Sequence, residues 1–498
     1  MSDPIDVKTH SFLSPTQFWV WIFFILIIKI CVMLSLPIQG DEAYYFQWGQ
    51  QWRGGFYDLP PMVGWLTYFQ RFFSNHLFSF RFPVFVFSIL MLLGFYKILV
   101  KHGKERARLG TLIFALVPLF SLPMVVSTDA PLIFFFFFSV LFFHFSLERK
   151  NYFLALVAGV FGGLAFLSKY FALFLLPTVF LHIIFEKNKR IFFLIYCVGY
   201  FPFIYQHIDW NLDHCLINYT FNFKTRHDDS SGFNFERFFS WVGFHFYLAT
   251  PPLIYLFLKS RLKLREIFTI PLNRIIFFSF ILPIIPFGLS ALKQGQGIHW
   301  LLFYYPFFFL MVGLFFSKEQ LFKNLKWIKV FYLVHIISYG VIVFLPDNFW
   351  KEKLSENRYR DYLLMRYPRE VGKFINFKGP IVAENYTTAA LLTYGLRDYP
   401  VAVFKNESRF GRNDDLVTDY QLFDNQDILI FTRFDTNLDK FEPYFNQLKT
   451  KRFQLRGTDF VYVVGSNFNA KKYIHYFKAK MVEKYFPKSP YERNCSIR

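Results

Sequence analysis

The stretch Gly40-Asp41-Glu42-Ala43-Tyr44-Tyr45-Phe46-Gln47-Trp48, continued by Tyr57-Asp58-Leu59-Pro60-Pro61-Met62-Val63-Gly64-Trp65, decides how this chain is read. It follows an apolar run from about Trp19 to Leu36. A run of that length crosses a bilayer, so Asp41 and Glu42 stand at a membrane boundary. An ionisable group there is costly unless a partner satisfies it. The aromatic residues behind the two acids suit a helix lying flat at the interface. On this stretch alone two readings stay open. The acids favour the first turn of a helix, where the dipole welcomes negative charge, or they belong to a functional site.

The rest of the 498 residues is in keeping with a membrane. The chain is 54% hydrophobic and 23% aromatic, with 74 Phe, and its mean hydropathy is +0.28. Soluble domains are not built this way, and apolar runs near 20 residues recur along the sequence. The net charge of +20 would fit nucleic acid in another chain. Here much of the Lys and Arg falls in short loops between apolar runs, the pattern of cytoplasmic loops, so no nucleic-acid partner is expected. Met1 to Gln17 lacks the basic region of a cleaved leader and reads as the approach to an uncleaved first helix. Cys31, Cys197, Cys215 and Cys495 show no CxxC spacing, and neither a zinc knuckle nor a disulfide framework is expected.

About eleven to thirteen spans are expected over residues 1–346. Basic loops near Lys101, Lys187 and Lys259 are assigned to the cytoplasm. Alternation then puts Asp41-Glu42, Ser127-Thr128-Asp129, Lys169, the polar segment from His207 to Arg237 and His299-Trp300 on the opposite side. Five polar features therefore converge on one membrane face, as they would around a single site. Residues 347–498 read as a small α/β domain on that same external face. Ile381–Ala383, Ile428–Phe431 and Phe460–Val464 have the look of buried strands, and Thr387–Tyr394 that of a helix. The fold class is thus a polytopic α-helical membrane protein with a small external C-terminal α/β domain.

The motifs resemble those of the polytopic lipid-phosphosugar glycosyltransferases of the GT-C fold, in the branch related to aminoarabinose transferases and protein O-mannosyltransferases. The matching stretches are Asp41–Tyr45, Tyr57–Trp65, Arg81-Phe82-Pro83, Thr128–Leu132, Leu167–Tyr170, Trp210-Asn211 with His214, and His299-Trp300. Ala383–Tyr386 and Arg412-Asn413-Asp414 are similar to the family's external domain. Leu59 stands where many members carry a basic residue.

This resemblance implies a sugar carried on polyprenyl phosphate and transferred at the outer face of a bacterial inner membrane, with the site and the C-terminal domain in the periplasm. The acceptor it suggests first is lipid A, then another envelope glycan or a protein. Such a reaction needs a base for the acceptor, negative charge near the oxocarbenium ion and cations for the leaving phosphate. Asp41 is the expected base or metal-organising carboxylate, with Glu42 and Asp129 as further catalytic acids. Arg81, Lys169 and His299 are expected at the donor phosphate. Tyr45, Tyr57, Trp210, Asn211, His214 and Trp300 are expected at the substrates. The bland alternatives are an N-cap for Asp129, snorkelling for Arg81 and Lys169, and an aromatic belt for His299-Trp300. A divalent metal is compatible with the site and not required by it. A transporter of lipid-linked sugars is the competing class, but the polar residues gather at one face instead of the midplane and no inverted repeat is visible. A structural, lipid-binding subunit is a third.

Overall fold

Ser14 starts the first membrane helix. Its side chain accepts from the Gln17 backbone N–H while Gln17 reaches back, a reciprocal cap that closes the first turn of α1 (Pro15–Ser35). The computed structural model describes residues 12–70, 72–73, 77–121, 124–186, 188–225, 232–259, 264–396, 399–405 and 418–485. Arg226 to Asp229, the Arg412–Asp414 stretch, Lys187 and Cys495 lie outside the described residues.

The chain continues as α2 (Gly40–Trp48), α3 (Met62–Gln70), α4 (Leu77–Leu99), α5 (Lys104–Leu116), α6 (Asp129–Arg149), α7 (Tyr152–Ser168), α8 (Leu175–Ile184) and α9 (Arg190–Asp213). Then come α10 (Phe235–Ala249), α11 (Pro251–Lys259), α12 (Pro271–Ala291), α13 (Tyr305–Phe315) and α14 (Lys318–Phe344). Among the described residues six helices are long and apolar enough to cross a membrane: α1, α4 with its extension to His102, α6, α9, α12 and α14. The α10–α11 pair, bent by 93° at Thr250, would be a seventh. Three further apolar helices are shorter. The apolar run from Leu109 to Val126 is not one helix, because α5 stops at Leu116 before Pro118. Conversely α9 runs on to Asp213, so the first part of the polar segment is helical.

Outward faces of these helices stay apolar, as lipid requires: Phe23 on α1, Val198 on α9 and Ile337 on α14 are all more than 60% exposed. Inside, Phe95 stacks between Phe114 at 3.8 Å and Phe137 at 5.2 Å. Helices α7 and α9 meet at glycines. A Cβ on Gly159 would lie 2.1 Å from the Tyr196 carbonyl, so only Gly allows this approach.

Past α14 the chain forms α15 (Glu356–Arg366) and then a five-stranded sheet. Its strands are β1 (Ile381–Ala383), β2 (Val401–Val403), β3 (Ile428–Arg433), β4 (Gln447–Leu455) and β5 (Thr458–Ser466), in the order β2-β1-β3-β5-β4. β1 pairs parallel with β2 and β3, while β5 runs antiparallel to β3 and β4. Between β1 and β2 lies α16 (Tyr386–Gly395), and α17 (Ala479–Tyr485) follows the sheet. This unit is not a separate bead. Tyr44, Phe46 and Trp48 of α2 share one hydrophobic cluster with Ala389, Ala390 and Leu392 of α16.

Candidate active site

α2 is the element on which everything else is hung. Gln39 is its N-cap, and Glu42 at the third helical position reaches back toward the Gln39 N–H. That acid is fully buried and also accepts from the Val126 N–H at 3.0 Å and from Arg81 at 2.8 and 2.5 Å. Arg81, on the first turns of α4, is equally buried. Its remaining donors go to the carbonyls of Met33, Leu36 and Pro37 at the end of α1. All five guanidinium N–H groups are therefore engaged. Against the expectation that Arg81 holds the donor phosphate, no guanidinium donor is left over and the side chain is not exposed. Glu42 likewise bridges α2, α4 and the 126 loop through these bonds, while it also borders the cavity described next.

Asp41, the neighbouring acid, is not engaged by Arg81, although Glu42 borders the same cavity. It is exposed at the wall of a cavity of about 520 Å³. Asp129, Lys169, Tyr45, Asp58, His299 and Trp300 line the same cavity. Asp129 begins α6 but does not cap it, since no side-chain capping bond forms there. Its carboxylate instead accepts from Lys169 Nζ at 2.8 Å, with both side chains 9% exposed. Lys169 reaches this position because α7 ends at Ser168, and the chain goes through one extended residue before a 3₁₀ turn from Tyr170 to Phe174. Its Nζ also lies 4.8 Å from the Phe171 ring centre. Burial pushes the Tyr45 phenol well above its ordinary range, and the charges of Asp41, Asp58 and Asp129 push it further. Tyr45 therefore faces the cavity as a hydroxyl, never as a phenolate, at physiological pH.

Four expected substrate contacts are placed elsewhere. Tyr57 is fully buried in a small cluster with Cys215, Ile217, Phe221, Met481 and Tyr485. Trp210 packs on the backbone of Gly54 and Gly55, so close that a Cβ on Gly55 would meet its ring at 2.5 Å. It stacks on His214 at 4.2 Å. Asn211 is buried against His207, which in turn bonds the Tyr170 hydroxyl at 2.7 Å. The Tyr170 hydroxyl donates to Asn218, whose amide donates to the Phe56 carbonyl at 2.7 Å. These residues form a polar backing that fixes the 53–61 loop. Their match to the family's motifs marked them out, but the direction in which they point was not in the sequence.

Two apolar cavities adjoin the polar one. The first, about 440 Å³, has Phe171, Phe174, Phe223 and Phe287 in its walls and shares Leu59, Lys169 and Trp300 with the polar cavity. A second, about 380 Å³, lies among Val32, Leu36, Leu116, Phe331 and Ile336 and shares Gln39 and Val125.

Residues 58–207 match the family model described as dolichyl-phosphate-mannose-protein mannosyltransferase. A lipid A galacturonosyltransferase, RgtD of Rhizobium johnstonii, is 30% identical over 145 residues. That alignment covers 28% of this chain and 30% of the relative's length. Across 92% of the chain, the structure superposes on ArnT from Cupriavidus metallidurans in its apo state, covering 99% of that protein with a TM-score of 0.60 at 13% identity. The chain has the GT-C glycosyltransferase fold.

Within that fold the short helix α2 carries the acid pair, and the family-model match takes in Arg81, Asp129 and Lys169. Sequence reasoning gave no role to Asp58, Gln39 or Tyr386, all of which line the polar cavity. Tyr386 lay in a stretch already similar to the family's external domain, which was the available signal. Cys215 corrects a further expectation, because it is disulfide-bonded while Cys31 and Cys197 are free. Isolated cysteines far apart in sequence carry no spacing signal. Among the described residues no group of three His, Cys, Asp or Glu is arranged to hold a metal ion.

Proposed function

We propose that this protein is a membrane glycosyltransferase that moves a sugar from polyprenyl phosphate onto a lipid-anchored acceptor at the periplasmic face of a bacterial inner membrane. The observation that carries the reading is one polar cavity with carboxylates and a lysine, flanked by two apolar cavities. Lys169 stands where the polar and the Phe-rich cavities meet. A polyprenyl phosphate has the same division, with a charged head on an apolar chain. Its phosphate at Lys169 puts the prenyl chain among Phe171, Phe174 and Phe287 and the sugar toward Asp41. The second apolar cavity, reached past Gln39 and Val125, favours an acceptor that is itself a lipid, of which lipid A is the first choice. The name of the sequence relative points the same way. The bonded state of Cys215 agrees with an oxidising compartment on this side.

The chemistry follows from the placement. The acceptor hydroxyl attacks the anomeric carbon, and the bond from that carbon to the phosphate oxygen breaks, its electron pair leaving with the polyprenyl phosphate. Asp41 takes the hydroxyl proton. Lys169 offsets the charge on the leaving phosphate, while Asp129 holds the lysine in place. His299 and Trp300 close the wall beside the phosphate, and Tyr45 offers a hydroxyl to the sugar.

Purified protein in detergent, given polyprenyl-phosphate sugars with a labelled sugar, should form a labelled acceptor lipid. Asp41→Asn should lose transfer by about a hundred- to ten-thousand-fold, with an unchanged unfolding midpoint. Full turnover in Asp41→Asn removes it as base. Movement of the labelled donor across vesicles without any new glycosidic bond would replace the transferase by the transporter.

A further inference from the structure

Among the described residues, the external sheet unit lines the reaction cavity through Tyr386. Tyr386 is the first residue of α16 and lines the polar cavity. Its hydroxyl lies 3.4 Å from Asp41 Oδ1 and donates to it. Among the described residues this is the hydrogen-bond partner that the Asp41 carboxylate has. A length of 3.4 Å is long for such a bond, but catalytic hydrogen bonds are often loose before substrate arrives.

The approach is held by the packing of α16 on α2. Asn385 caps α16, its side chain accepting from the Thr388 N–H at 2.9 Å. The Tyr386 ring meets Tyr44 edge-on at 5.2 Å, and Tyr394 meets Phe46 at 5.3 Å. Gln47 donates to Thr393 at 2.9 Å. At the near end Gly40 allows the closest contact, since a Cβ there would sit 2.4 Å from the Thr387 methyl. Few adjustments are open to a helix fixed at both ends and along its length.

We infer that Tyr386 is a positioning residue for Asp41, so that the external α/β unit completes the active site. The inference rests on the proposed transfer reaction. Its physical content is the kind of donor. Asp129 is paired with a cation, and Glu42 is saturated by an arginine and two backbone N–H groups. A phenol, by contrast, orients a carboxylate without neutralising it. Asp41 is exposed at a helix start and would otherwise be free to rotate. With Oδ1 held by Tyr386, Oδ2 is presented to the acceptor.

Tyr386→Phe removes the hydroxyl and keeps the ring against Tyr44. The expected result is a kcat lower by roughly ten- to a hundred-fold, the worth of a hydrogen bond to a charged group, with the donor KM and the unfolding midpoint unchanged. Gly40→Ala should lower kcat in the same way by pushing Thr387 and Tyr386 back. Adding Thr387→Ser, which deletes the clashing methyl, should restore much of it. Wild-type kcat in Tyr386→Phe overturns the positioning role and leaves the transferase reading intact. A lowered midpoint with unaltered kcat also overturns it, by making Tyr386 a packing residue. Absence of transfer in the wild-type protein, with every donor tried, overturns the proposed function and this inference with it.

Discussion

Two acid–base pairs lie close to one another around α2 and have opposite designs. In Glu42–Arg81 every donor of the guanidinium is used and neither side chain is exposed. Asp129–Lys169 includes an ion pair of 2.8 Å and forms part of a cavity wall. The difference follows from the side chains. A planar five-donor fork can tie two helices and a helix end together at once, whereas an ammonium on a flexible stem is a point charge that can serve a carboxylate and an incoming phosphate together. We propose the saturated pair as scaffold and the Asp129–Lys169 pair as part of the working site.

The contrast can be broken by substitution. Arg81→Met should have the largest effect. It strands the Glu42 carboxylate, and losing one partner of a buried pair costs about 3–5 kcal/mol. The yield of folded protein and the unfolding midpoint in detergent should fall sharply, and any protein that folds should bind donor with normal KM. If Arg81→Met instead folds normally and loses donor binding, the scaffold assignment is wrong.

Lys169→Met comes next. It should leave a folded protein and raise the KM for the polyprenyl-phosphate donor by roughly ten- to a hundred-fold, through loss of a charge-assisted contact. Titration of transfer rate against donor checks it, and an unaltered KM would place the phosphate elsewhere. The smallest expected effect is at α16. Asn385→Ala removes a helix cap worth about 1 kcal/mol. A modest drop in the unfolding midpoint should accompany a partial loss of kcat, since the same turn carries Tyr386. A drop in midpoint alone would uncouple the external unit from the chemistry and sharpen the distinction between scaffold and site.

Much of this was legible in the linear chain. The apolar runs announce membrane helices because lipid leaves the backbone few other solutions. Buried strands β1 and β3 and the core of β5 show as short runs of Val, Ile, Leu and Phe. β4 is mostly exposed and polar, and it escapes notice because it has no buried face to mark it. The choice of Asp41, Asp129 and Lys169 as cavity residues also rests on sequence, through their alternation onto one membrane side and their resemblance to known motifs.

Sequence alone thus determined that the chain carries membrane helices and that a small α/β unit follows, and it singled out Asp41, Asp129 and Lys169. Tertiary structure decided which of them meet. Glu42 finds Arg81 39 residues away, Asp129 finds Lys169 40 residues away, and Asp41 finds Tyr386 across 345 residues. Adjacent positions on a helix point about 100° apart, so Asp41 and Glu42 had to face different neighbours. α2 is aromatic on several sides, and nothing in its pattern says which side faces the cavity. Only the packing of α1, α4 and α16 around it tied one acid to Arg81 and left the other exposed, though both border the cavity.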